Sequence, residues 1–177
     1  IFFIKTLYAV MLTIFNIISC TAFPLIHIQI TLIDLVIEGY TSFFISFEPN
    51  GKQIKESFLR SVLKNAFPYS LVIIINIIIL YLLSPTLKIE TIQMTTIMYY
   101  MIGFTSILAV IKVCRPFNKM RMFLCTTTAI GFFVAAFLFN NILRLSKLGL
   151  QELIVFLIMA TLSIVLILIK NYLTRMK

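Results

Sequence analysis

Six apolar stretches, each of roughly 20 residues and so long enough to cross a bilayer core as a helix, dominate this chain of 177 residues. They run over roughly 1–23, 26–47, 62–84, 92–113, 122–142 and 149–169. The breaks between them carry turn chemistry. Phe23-Pro24 makes a tight first turn, Glu48-Pro49-Asn50-Gly51 opens a polar loop, and Ser84-Pro85 is expected to end the third span. Cys114-Arg115-Pro116-Phe117-Asn118 breaks the chain after the fourth, and Asn140-Asn141 precedes the last short loop. Pro68 is expected within the first turns of the third span, where a missing amide costs little.

With 61% hydrophobic and 12% charged residues, the chain has too little polar side chain to cover a soluble domain of this size. Lipid must serve as the solvent for much of its surface. The pattern predicts an all-α integral membrane protein, a bundle of about six transmembrane helices forming one domain over 1–177. The net charge of +9 sits in the short breaks, where it faces anionic lipid, so no nucleic-acid partner is expected. A cytoplasmic N-terminus places Lys88, Arg144 and Lys147 outside and the other twelve of the fifteen basic residues inside. The positive-inside rule then predicts both termini in the cytoplasm.

Three scattered cysteines, Cys20, Cys114 and Cys125, lack metal spacing and read as apolar packing. A single histidine, His27, excludes a histidine metal cluster. The chain starts at Ile1 inside an apolar run with no cleavage pattern behind it. Further sequence upstream is therefore expected.

Of six acidic residues, Glu48, Glu56, Glu90 and Glu152 fall in loops or at span ends and read as solvated charges. Asp34 and Glu38 fall near the middle of the second span, where a charge costs about 3 kcal/mol even on a lenient scale. A partner or a bound cation must offset that. Spaced i and i+4, the two carboxylates share a helix face, about 6 Å apart in rise. Thr31, Thr41 and Ser42 continue the face, and Gly39 lets a neighbouring backbone approach or the helix loosen. Such an oxygen-rich stripe suits a hard cation such as Ca²⁺ or Mg²⁺. The plainer alternative is that both acids are protonated or pair with a neighbouring helix, with Lys112 as the candidate partner.

The sixteen residues Asp34-Leu35-Val36-Ile37-Glu38-Gly39-Tyr40-Thr41-Ser42-Phe43-Phe44-Ile45-Ser46-Phe47-Glu48-Pro49 also resemble a known motif. The stretch is similar, without a gap, to the sixth transmembrane helix of P-type cation-transporting ATPases, which in calcium pumps runs N-L-V-T-D-G-L-P-A-T-A-L-G-F-N-P. Asp34 stands at the motif's asparagine and Glu38 at its aspartate, both ion ligands in that family. Gly39, Phe47 and Pro49 match as they stand. Phe58-Leu59-Arg60-Ser61-Val62-Leu63, running into Pro68, is similar to a bacterial branch with calcium-export candidates.

The resemblance implies that the chain corresponds to helices five to ten of such a pump, in a bacterial plasma membrane. Asp34 and Glu38 would be the ion-binding residues, with Thr41 and Asn16 as minor contributors and Gln93 and Thr96 behind them. It further implies Ca²⁺ as the transported ion, with Mg²⁺ as the second choice. The partners would be the lipid bilayer and upstream domains of the same polypeptide. Catalytic residues, ATP and its Mg²⁺ would belong to those domains, because no D-K-T-G-T phosphorylation motif lies here. A polar loop around Gln53, Lys55 and Glu56 would face the phosphorylation domain.

There are departures from the family pattern. Tyr8 and Met11 occupy the positions of an asparagine and a glutamate on the fifth helix, and Ile37 replaces a threonine. The fourth span has no carboxylate, with Lys112 near the family's glutamate, so one ion per cycle is expected. Two other readings are a complete small secondary transporter or channel subunit using the same carboxylates, and a non-transporting membrane scaffold.

Overall fold

The computed structural model describes residues 2–21, 23–48 and 57–175. Within them are six helices long and apolar enough to cross a membrane, and no strand. We number them α1 (Phe2–Ser19), α2 (His27–Ser46), α3 (Phe58–Leu87), α4 (Thr91–Val113), α5 (Lys119–Leu138) and α6 (Leu150–Arg175). Helices are the expected solution, since lipid offers no partner to an unpaired amide or carbonyl. The all-α membrane bundle read from the sequence is thus the architecture found.

α4 is the most enclosed span, with α3, α5 and α6 packed around it. The lipid-facing sides are frankly apolar, as Ile18 at 77% and Leu150 at 81% exposure show. α1 packs chiefly on α3, whereas the middle of α2 packs on α4 and α5. Consecutive helices α1 and α2 therefore lean on different neighbours.

Buried polar side chains tie the spans together. Asn76 donates to the Ser163 hydroxyl at 2.7 Å, Ser70 to the Ile4 carbonyl at 3.0 Å, and Gln29 to the Leu143 carbonyl at 2.9 Å. Measured values for such interhelical bonds average about 0.6 kcal/mol. They fix orientation more than they stabilise.

Both prolines of the third span lie inside α3. The helix starts at Phe58, before the apolar run, which puts Pro68 in its interior and not in its first turns. Pro85 does not end it either. The hydroxyl of Ser84 donates to the Tyr81 carbonyl at 3.4 Å, the group that a residue other than proline would have bonded from position 85. The helix stops at Lys88, in left-handed conformation with φ 52°. Of the cysteines, Cys114 is buried and Cys125 partly so, while Cys20 is exposed and not packed as expected.

α4 and α5 meet where Gly103 receives the ring of Phe132. A Cβ added to Gly103 would lie 2.1 Å from the ring's Cζ, and Phe132 is fully buried. Gly103→Ala is expected to lower stability by about 2 kcal/mol through overpacking. Thermal unfolding in detergent measures this, and Phe132→Leu in the same chain should recover part of the loss.

Candidate ion site

α2 is not a uniform helix. Residues Asp34–Gly39 form a π-helical turn between the α-helical segments His27–Ile33 and Tyr40–Ser46. The amide of Tyr40 donates to the carbonyl of Leu35, five residues back. Gly39 closes this wide turn, and a Cβ there would stand 3.1 Å from the Asp34 carbonyl oxygen. Of the two roles foreseen for this glycine, loosening of the helix is the one seen. Wide turns of this kind concentrate at functional sites.

The turn begins at Asp34 and contains Glu38. Glu38 is 1% exposed and its Oε2 has no hydrogen-bond partner. Asp34 is paired. Its Oδ2 accepts from the Lys5 ammonium of α1, with the two side chains 33% and 32% exposed. The other oxygen, Oδ1, is buried and without a partner. The Tyr8 hydroxyl, one turn along α1 from Lys5, is likewise buried and unbonded, and lies close enough to feel the charge of both carboxylates. Two acids and one base give the cluster a net single negative charge when all are ionised. Its free atoms are the acceptors that a cation seeks.

The partner of Asp34 is thus Lys5, not Lys112. Lys112 instead lies with its Nζ 5.6 Å from the centre of the Tyr69 ring. Among the described residues no three of His, Cys, Asp and Glu cluster, so this chain offers two carboxylates and not a complete carboxylate cage.

The remaining sequence-derived residues fall as follows. Thr41 is fully buried, its hydroxyl 3.3 Å from that of Thr128, and Tyr40 makes a parallel bond to Thr127 at 3.0 Å. Both tie α2 to α5 just beyond the wide turn. Asn16 is buried near the α1–α2 turn, where its Oδ1 accepts from Thr21 at 3.1 Å and its Nδ2 is unbonded. It lies roughly 16 Å of helix rise from Lys5. Ser42 is half-buried, but Thr31 is exposed and bonds back to the His27 carbonyl at 2.9 Å, off the carboxylate face. Gln93 accepts from the Glu90 amide at 3.0 Å, and Thr96 accepts from the Ser146 amide at 3.0 Å. Both therefore organise helix ends.

Two acids read as solvated are not. Glu48 accepts from Arg121, with Nε at 2.7 Å and Nη2 on the same oxygen, joining the end of α2 to the start of α5. This hydrogen bond holds the Glu48 carboxyl below the usual carboxylate range. The clamp is present above that range and is lost as pH falls through the lowered value. Glu152 is buried in the first turn of α6, where the helix dipole favours a negative charge. Gln53, Lys55 and Glu56 lie outside the described residues.

Lys5 is the residue the sequence did not mark as part of the site. Its signal was a cation a turn inside the first apolar run, which pairs naturally with an intramembrane acid.

No protein-family model and no solved structure matches the chain. It is similar to the probable cation-transporting ATPase exp7 of Streptococcus pneumoniae serotype 4, with 32% identity over 157 residues, 84% of this chain. The chain spans 20% of the length of that relative. Taken with the six apolar helices, this similarity supports reading the chain as a membrane segment of a P-type cation-transporting ATPase.

Proposed function

We propose that the chain supplies part of the ion path of a pump that moves a divalent cation, Ca²⁺ first and Mg²⁺ second, across a bacterial plasma membrane. The observation that carries this reading is the pair of unbonded carboxylate oxygens, Asp34 Oδ1 and Glu38 Oε2, on a widened helical turn within the bilayer. Unbonded acceptors at such depth are costly, and a bound cation offsets that cost. Ca²⁺ takes six to eight oxygens, so backbone carbonyls, Thr41 or helices outside this chain would complete the shell. ATP-driven phosphorylation would take place in other domains of the same polypeptide. Lys5 holds Asp34 when no ion is present, and an arriving cation competes with that ammonium.

The test is phosphorylation of the full-length protein by ATP. Ca²⁺ is expected to stimulate formation of an acid-stable phosphoenzyme more strongly than Mn²⁺ or K⁺. If none of these cations has an effect, the pump reading falls. Cation flux through this chain alone in liposomes would favour the secondary-transporter reading instead.

The charge distribution supports both termini in the cytoplasm. In a background without Cys20, Cys114 and Cys125, Asn118→Cys should be shielded from an impermeant thiol reagent in intact cells, and Lys88→Cys should react. The reverse labelling would overturn this orientation.

A further inference from the structure

A groove of about 710 Å³ runs between α3, α4 and α6 at the end of the bundle where α4 and α6 finish. Its walls are apolar, with Leu108, Ile111, Ile164 and Leu168 among them. Its mouth is cationic, formed by Lys112 in the last turn of α4 and Arg115 just beyond it. Lys170 of α6 lies near enough to Lys112 to act on its charge. Tyr172, 66% exposed, sits at the same rim, where amphipathic aromatic rings mark the membrane–water boundary.

Lys112 and Arg115 are not explained by the rest of the fold. Among the described residues neither ion pair includes Lys112 or Arg115. Lys112 has the Tyr69 ring beneath it and Arg115 stacks 5.8 Å from the centre of Phe117, both contacts that tolerate a further anionic partner.

From this geometry we infer that the groove is a binding site for one anionic phospholipid, its phosphate at Lys112 and Arg115 and an acyl chain along the apolar wall. Charge complementarity selects the headgroup, and the apolar lining selects an intact lipid over a free phosphate. The site shares no residue with the proposed ion path and does not depend on that reading.

Native mass spectrometry of the full-length protein, titrated with phosphatidylglycerol or phosphatidylcholine, tests the proposal. Wild type should retain phosphatidylglycerol about thirtyfold more tightly, with each of two basic groups contributing about fivefold. Lys112→Gln with Arg115→Gln should abolish that preference. Arg115→Gln alone, at an exposed position that folding tolerates, should lower it by about fivefold. Lys119→Gln, a charge at the same end but outside the groove, should leave it unchanged. Equal retention of both lipids by wild type, or an equal loss in Lys119→Gln, overturns the site. So does displacement by glycerophosphoglycerol as effective as by the whole lipid, because the apolar wall would then contribute nothing.

Discussion

Glu38→Gln, in the full-length protein, is expected to weaken cation-stimulated phosphorylation from ATP by on the order of a hundredfold in apparent ion affinity. Asp34→Asn should act in the same direction. The two substitutions differ in what they do to the fold. Glu38 makes no hydrogen bond through Oε2 and is 1% exposed, so an amide of the same shape is cheaper to bury and stability should hold or rise. Asp34 carries Lys5, and its neutralisation leaves that ammonium without an anion at a third-exposed position. A lysine stem can snorkel towards water, so the cost should stay at about 1 kcal/mol. Glu38→Gln is therefore the cleaner probe. Unchanged ion affinity in an active Glu38→Gln protein would make the carboxylates structural and would favour the scaffold reading.

Much of the fold was legible because lipid imposes one rule on every span. An apolar run of sufficient length has to be a helix, and six runs gave six helices. What the rule does not fix is where each helix stops. α3 begins at Phe58, before its apolar run, because extending a helix from an existing one avoids the cost of nucleation. α5 ends at Leu138 although apolar residues continue, because the chain turns through Asn140-Asn141 and is held there by Leu145 donating to the Asn140 carbonyl at 2.9 Å. Pro85 reads as a terminator until the neighbouring Ser84 hydroxyl is seen to bond the stranded carbonyl.

The site was legible in part for a related reason. The four-residue spacing of Asp34 and Glu38 is a local feature, and local periodicity survives into the structure. The helix-face argument breaks at the wide turn. A continuous α-helix would keep Thr31 in line with the acids, whereas the register change leaves Thr31 exposed and brings Glu38 and Thr41 inward. The partner of Asp34 could not be read at all, since Lys5 is 29 residues away and competes with Lys112 on charge alone. The structure decides between them, since Lys5 reaches Asp34 while Lys112 lies over the Tyr69 ring.

That ion pair leads to the second large effect. Lys5→Gln is expected to change stability and ion affinity in opposite directions. Removing the ammonium leaves a partly buried carboxylate without its counter-charge, which costs 3–5 kcal/mol at fully buried pairs and about 2 kcal/mol here, since the side chains are 33% and 32% exposed. Lys5→Gln with Asp34→Asn should recover most of that loss, because the double variant buries no unpaired charge. In the single variant Asp34 is freed for an incoming cation, so apparent affinity should rise by about tenfold as a tethered competitor disappears. Saturating cation should then restore the thermal midpoint of Lys5→Gln, since a ligand at a hundred times its dissociation constant stabilises by about 2.7 kcal/mol. It should do little for the double variant, whose site has lost a carboxylate. A Lys5→Gln protein that is less stable but neither binds the ion more tightly nor recovers with it would reduce the pair to a strut between α1 and α2.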